Sequence, residues 1–407
     1  MTICAYCSLL CEFTESKSLA CSLRDRILHQ YSTIANPIVP RIDGKPTTVG
    51  EAIELANRLL ESSQTRSITG RIRSVEATRA VLAAASRIGA FVAPTKSVDA
   101  FKSIDAIQRS GMVSASMSEV RFRSDCIVLV GDDRLLDSFP RLPQVLLEQP
   151  KSRLLPSPRR IIAMGEFSTA AMAKLRETGS EVCSIRIALD RIPQALFQWS
   201  RCNRETQTNS QNSVSRSLAE ARYLSFVWSA ALLDMPHADL WIERLYQWIE
   251  HRNIENRCVG FPLASDYVTF QQVCTWTTGF PGRVHIDGEA FTYDPTLSSA
   301  VPGIANRDST VRDSAVTVQV DELFDKHDIP NDCESPTILI ATHFDERSES
   351  PRVFIPCAIP GVDHRATFFR VDGTVAVEAF DKTPAEEKVT LLSVAAILAR
   401  LGVSSSC

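Results

Sequence analysis

The sharpest chemical signal in the sequence is Cys4-Ala-Tyr-Cys7-Ser-Leu-Leu-Cys11, with Cys21 ten positions later. Cysteines two and three residues apart bring several thiolates into one small volume, which an iron–sulfur cubane or a zinc ion requires. The Cys-x2-Cys-x3-Cys spacing favours a cluster over zinc; the plainer alternative is a set of buried thiols with no metal. Cys126, Cys258 and Cys357 fall in or beside apolar strands, as small core hydrophobes do. Cys274 differs, lying in an aromatic stretch without clear periodicity. The histidines, at 29, 237, 251, 285, 327, 343 and 364, form no His-x-His or His-Glu-x-x-His pattern, so no zinc hydrolase site is legible. His343 and His364 lie near strand ends, where α/β proteins place functional groups, although an ordinary polar role is the plainer reading. Gly-x-Gly-x-x-Gly, Gly-x4-Gly-Lys-Ser/Thr and Gly-x-Ser-x-Gly are all absent. Dinucleotide, nucleoside-triphosphate and serine-hydrolase chemistry therefore have no support.

The elements that must position these residues read as an α/β protein. A chain of 407 residues, 44% hydrophobic and 23% charged, has the make-up of a soluble globular protein of two or three domains. A formal net charge of −4 gives no nucleic-acid footprint. The apolar runs Ala221–Leu233 and Leu391–Leu401 carry polar residues or fall short of a bilayer span. No basic residue precedes an apolar stretch at the N-terminus, so the expected location is the cytoplasm.

A helix over Ser22–Gln30 follows the cysteines, then a hairpin over Ile38–Lys45 turning at Asp43-Gly44. Thr48 is placed to cap a helix over Val49–Leu60. Helices are predicted at Val75–Ile88, Val98–Gln108 and Ser168–Glu177, interleaved with strands Ala90–Ala93, Cys126–Val130, Arg160–Met164 and Glu181–Ile187. Continuous apolar strands alternating with amphipathic helices indicate parallel sheets covered by helices. The polar stretch Asn203–Ser217 reads as a surface loop or a linker between halves, and helices Leu218–Leu233 and Ala238–His251 follow it. Strands Asn256–Phe261, Thr337–Thr342 and Arg352–Pro356 come next, then a hairpin over Phe368–Val377 and a last helix over Pro384–Leu401. The expected division is a Cys-rich segment and hairpin (1–48), a first α/β domain (49–202), a linker (203–217) and a second α/β region (218–407).

The segment Tyr267-Val-Thr-Phe-Gln-Gln-Val-Cys-Thr-Trp-Thr-Thr-Gly-Phe-Pro281 resembles the signature of the B-type, pterin-binding subunit of formylmethanofuran dehydrogenases. Those proteins carry Gly-Phe-Asn-Gln-Val-Cys-Thr-Trp followed by Gly-Tyr-Pro. Asp287-Gly-Glu-Ala-Phe-Thr-Tyr-Asp-Pro295 matches the continuation. The cysteine motif, Glu119–Gly131 and Arg352–Glu378 align in the same order. The resemblance implies a molybdopterin-oxidoreductase-like multi-domain architecture, here without the C-terminal β-barrel domain. It marks Gln271, Gln272, Cys274, Trp276, Gly279 and Pro281 as the motif beside the cofactor pocket. It also assigns a four-iron four-sulfur cluster to Cys4, Cys7, Cys11 and Cys21.

The family's metal cysteine lies in a Thr-x-Cys-Glu-Ala-Gln stretch. Here the equivalent reads Arg73-Ser-Val-Glu-Ala-Thr78, with Val75 at the ligand position, and the family's Cys-His pair falls at Asp99-Ala100. An aliphatic side chain has no lone pair for a transition metal, so molybdopterin with molybdenum or tungsten is expected to be absent. A bacterial branch of the family belongs to the formyltransferase/hydrolase complex. That complex moves the formyl group of formyl-tetrahydromethanopterin to a methanofuran-type carrier and hydrolyses it to formate. The resemblance thus implies a non-redox, architectural subunit, a pseudoenzyme beside a zinc hydrolase subunit, a formyltransferase subunit and a C-type subunit. The alternatives are an active molybdenum or tungsten dehydrogenase with an unusual metal ligand, and an iron–sulfur electron carrier.

Overall fold

The structure is a computed structural model and describes residues 2–13, 20–32, 38–94, 97–150, 155, 158–201, 209–263, 267–294, 315–323, 337–343, 351–380 and 391–403. Two units divide the chain: residues 1–20, 24–98 and 266–407 make the first, residues 21–23 and 99–265 the second. The first begins with a ribbon, β1 (Thr2–Ile3) and β2 (Glu12–Phe13), then helix α1 (Ser22–Ser32), whose first two residues count with the second unit. Hairpin β3 (Arg41–Ile42) and β4 (Lys45–Pro46) follows, then α2 (Val49–Ser62), β5 (Thr65–Arg71), α3 (Val75–Ile88) and β6 (Ala90–Val92). Thr48 and Glu51 close a reciprocal capping box on α2, worth about 1 kcal/mol. Ser74 caps α3, and Gly89 ends it in the left-handed conformation that only a residue without Cβ takes at no cost.

The second unit runs through α4 (Ser97–Ser110), α5 (Met117–Arg123), β7 (Cys126–Asp132), α6 (Asp133–Ser138), β8 (Arg160–Glu166) and α7 (Thr169–Arg176). It continues with β9 (Glu181–Ile185), α8 (Ile192–Arg201), α9 (Asn209–Glu220), β10 (Tyr223–Trp228), α10 (Ala238–Arg252) and β11 (Arg257–Pro262). Its five strands are all parallel, in the order β11-β10-β7-β8-β9. Ile127 to Leu129 of β7 and Ile161 to Met164 of β8 are wholly buried, as strands covered on both faces must be.

The chain then completes the first unit with α11 (Tyr267–Thr278), β12 (Val284–Asp287), β13 (Ala290–Tyr293), β14 (Ala315–Asp321), β15 (Ile338–Ala341) and β16 (Val353–Pro356). A hairpin of β17 (Ala366–Phe369) and β18 (Ala376–Ala379) and helix α12 (Val394–Leu398) end the described part. Nine strands order as β13-β12-β6-β5-β14-β15-β16-β3-β4, parallel from β6 to β16 and antiparallel at both edges. The described strands thus build two open sheets and two short ribbons, a mixed α/β architecture with parallel cores.

Several expectations are corrected. Residues 218–233 are not one helix: α9 ends at Glu220, and Tyr223–Trp228 is β10, a fully paired inner strand. A six-residue apolar run fits a buried strand as well as a helix turn, and pairing with β7 and β11 decides it. Within the polar stretch 203–217, α9 begins at Asn209 and leads on toward β10; residues 202–208 lie outside the described part. The boundary expected there falls inside the second unit, while the first is assembled from both ends of the chain. Of the helix expected over 384–401, residues 391–401 are described and are α-helical only over Val394–Leu398, α12.

Candidate functional site

The cysteine motif folds as a tight loop closed by β1 and β2. The Cys4 amide donates to the Cys11 carbonyl at 2.9 Å, and Leu10, at φ 48°, turns the chain back. Cys4, Cys7 and Cys11 are buried thiols without disulfides; Cys21 is buried as well and counts with the second unit. Thiol chemistry and burial suit a soft metal. Yet among the described residues no three His, Cys, Asp or Glu side chains converge as a metal centre. The loop is anchored from outside: the Arg73 guanidinium donates to the Ala5 carbonyl at 2.8 Å and lies over the Phe368 ring at 5.8 Å. Gly361, at φ 77°, faces it so closely that a Cβ would stand 2.5 Å from the Ala5 Cβ.

Arg73 belongs to the strand-to-helix turn that carries Val75. The chain leaves β5 for its neighbour β6, then places β14, β15 and β16 on the other side of β5. The strand order reverses between β5 and β14, and open parallel sheets bind ligands at the carboxyl ends of such a pair. Gly70 permits the close approach: at φ 114°, a Cβ there would lie 2.0 Å from the Val320 carbonyl oxygen. Past the ends of both strands sits Glu322, 2% exposed. Its carboxylate accepts from the Arg73 amide at 2.6 Å, the Ser74 amide at 2.8 Å and the Ser74 hydroxyl at 2.7 Å. These donors belong to the turn just before α3, whose first residue is Val75 and whose N-cap is Ser74. Burial pushes the Glu322 carboxyl above its ordinary value, and the hydrogen bonds from Ser74 and Arg73 offset part of that rise.

Val75 is the first residue of α3, half-buried, next to these donors. Its aliphatic side chain presents no metal-ligating atom. Asp99 and Ala100 lie near the start of α4.

The Gln271–Pro281 motif forms the latter half of α11 and the turn after it. Cys274 is fully buried, its thiol 3.6 Å from the Thr278 hydroxyl, and burial raises it to about 11. It is a protonated core thiol at neutral pH. Trp276 faces outward, 61% exposed, edge-on to Phe369 at 5.2 Å. Gln272 packs beside Gly373 of the hairpin turn, and the Thr269 hydroxyl accepts from the Phe369 amide at 3.0 Å. Gly279 takes φ 80° to turn the chain, and the Tyr267 hydroxyl donates to the Pro281 carbonyl at 2.6 Å. The Val371 amide donates to the Ser8 carbonyl at 2.8 Å, and Glu76 of α3 accepts from the Thr367 amide at 3.0 Å.

The cysteine loop, the α3 start and the motif helix therefore meet around the β17–β18 hairpin. Sequence reasoning picked out all three but missed their connectors, Arg73 and Glu322. The signal for Glu322 was weak, an acidic pair ending the alternating run Ala315–Asp321.

No protein-family profile matches this chain, and no curated protein does. Among solved structures, the chain is similar to one from the formyltransferase/hydrolase complex of Methylorubrum extorquens, whose X-ray crystal structure contains methylofuran. The TM-score is 0.72 at 19% sequence identity, over 89% of this chain and 98% of that one. The fold is shared. At that identity the likeness establishes architecture, spanning both units, and leaves activity to be argued from the site.

Proposed function

We propose that this chain is a non-redox, architectural subunit of a cytoplasmic formyltransferase/hydrolase-type complex in tetrahydromethanopterin-linked one-carbon metabolism, where a formyl group passes through a methanofuran-type carrier to formate. The observation that carries the reading is the match to nearly the whole of a chain from such a complex. The site supports the non-redox part. Val75 supplies no donor to a metal, and the Glu322 carboxylate occupies the Arg73 and Ser74 amides beside it. The side chains around the hairpin are spent on packing: Arg73, Thr269 and Glu76 each tie one element to another. Partner subunits, a zinc hydrolase and a formyltransferase supported by a C-type subunit, would perform the chemistry. The burial of Cys4, Cys7 and Cys11 supports a structural iron–sulfur cluster or zinc in this reading, which would have to draw the thiols together on binding.

No helix among the described residues is long and apolar enough to cross a membrane. The test is co-purification of the affinity-tagged chain from its native cells. A stable assembly with hydrolase-type and transferase-type chains, whose formate release is lost when this chain is omitted from reconstitution, is the expected result. A chain that purifies alone, or an assembly equally active without it, overturns the proposal.

A further inference from the structure

The second unit holds a cleft of about 520 Å³ that the reading above leaves unused. It lies between α8 and α10, the helices that follow β9 and β10, and so opens toward the carboxyl ends of parallel strands. Gln194, Phe197 and Gln198 on α8 recur three and four apart, which sets them on one helix face. His237, Leu240, Trp241 and Arg244 do the same at the start of α10.

The walls are fixed. The Trp241 indole donates to the Leu189 carbonyl at 2.6 Å, so its polar atom is satisfied and its ring is left as an apolar floor. The Arg244 guanidinium is stacked over Phe197, 3.9 Å from the ring centroid, and donates to the Gln247 side chain at 2.9 Å. Among the described residues no carboxylate pairs with Arg244, in contrast to Arg109 on the neighbouring α4, which holds both Asp239 and Glu243. Asp190 also lines the cleft, so it carries one acidic and one basic side chain, and the stacking on Phe197 holds the guanidinium with little rotamer freedom left to lose. Leu240 is 53% exposed at the rim, and His237 adopts φ 57°, a left-handed conformation uncommon outside glycine. The volume lies in the range of about 300–1,000 Å³ typical of small-molecule sites.

We infer that this cleft binds a small organic anion with a flat apolar body. The acid group sits on Arg244 with the Gln194 and Gln198 amides as further donors, and the body lies over Trp241 against Leu240. The inference does not depend on the proposed function. Its test uses 8-anilinonaphthalene-1-sulfonate as the anionic probe and N-phenyl-1-naphthylamine as its uncharged counterpart, titrated into the full-length chain by fluorescence. The expected result is one saturable site per chain for the sulfonate, at least tenfold tighter than for the neutral probe. R244Q should weaken the sulfonate at least tenfold and leave the neutral probe unchanged, and L240D should weaken both. Equal affinity of the wild-type chain for the two probes overturns the inference without any variant. So does sulfonate binding that R244Q leaves intact while circular dichroism matches wild type.

Discussion

At the residue scale, Val75 and Glu322 decide what the α3 start can do. Removing the Glu322 carboxylate by Glu322→Ala orphans the Arg73 and Ser74 donors, at about 1–3 kcal/mol for each buried group left unsatisfied. Urea unfolding should register a lower midpoint, and an unchanged midpoint would show that water replaces the carboxylate at no cost. The pH dependence has a definite sign. Burial holds the folded-state pKa of Glu322 above the ordinary 4.5. Its contribution is therefore fully present below 4.5 and lost as pH rises through the folded value. The advantage of wild type over Glu322→Gln should narrow across that climb; an advantage that widens contradicts the assignment. Cys7 carries the metal part of the proposal. Cys7→Ser should release iron or zinc and lower the melting temperature, and unchanged metal content and melting would leave the loop as buried thiols only. Val75 was legible from the motif around it, whereas Glu322 was not, since its role depends on a strand pairing far away in the chain.

At the element scale, the capped helices were the most legible. Thr48 and Ser74 are N-caps where the sequence placed helix starts, and α3 keeps its expected bounds. Strands with mixed faces were harder. β5, Thr-Arg-Ser-Ile-Thr-Gly-Arg, is central to its sheet yet reads as polar, and one of its two neighbours, β14, lies far along the chain. β14 alternates Val316, Val318 and Val320 with polar residues, a period-two signal that was there to be read. The threonines of α11 hid its periodicity, since β-branched residues are weak helix formers.

One buried cation secures the second unit. Arg159, wholly buried, donates to the carbonyls of Arg121, Ser124, Leu146, Leu147 and Glu148, gathering the ends of α5 and of the turn Pro143–Leu147. Burial, with Arg121 nearby, lowers it to about 10, so it stays charged at neutral pH. Arg159→Met should cost about 3 kcal/mol or more, since several carbonyls lose their donor together. A melting temperature within a degree of wild type would refute that role.

At the scale of the whole molecule, composition and strand–helix alternation conveyed the class of fold, while the division of the chain was hidden. A sheet assembled from both ends leaves no mark at a boundary, because residues 99–265 enter and leave between ordinary elements. The cysteines at one end first suggest a redox enzyme. The position where the resemblance requires a metal ligand holds Val75, and the neighbouring Ser74 amide is bonded to Glu322. The most direct test is elemental analysis by mass spectrometry of the complex purified anaerobically through this chain. A non-redox subunit predicts molybdenum and tungsten far below one atom per chain in an assembly that releases formate. A stoichiometric molybdenum or tungsten signal that follows this chain through purification would contradict it.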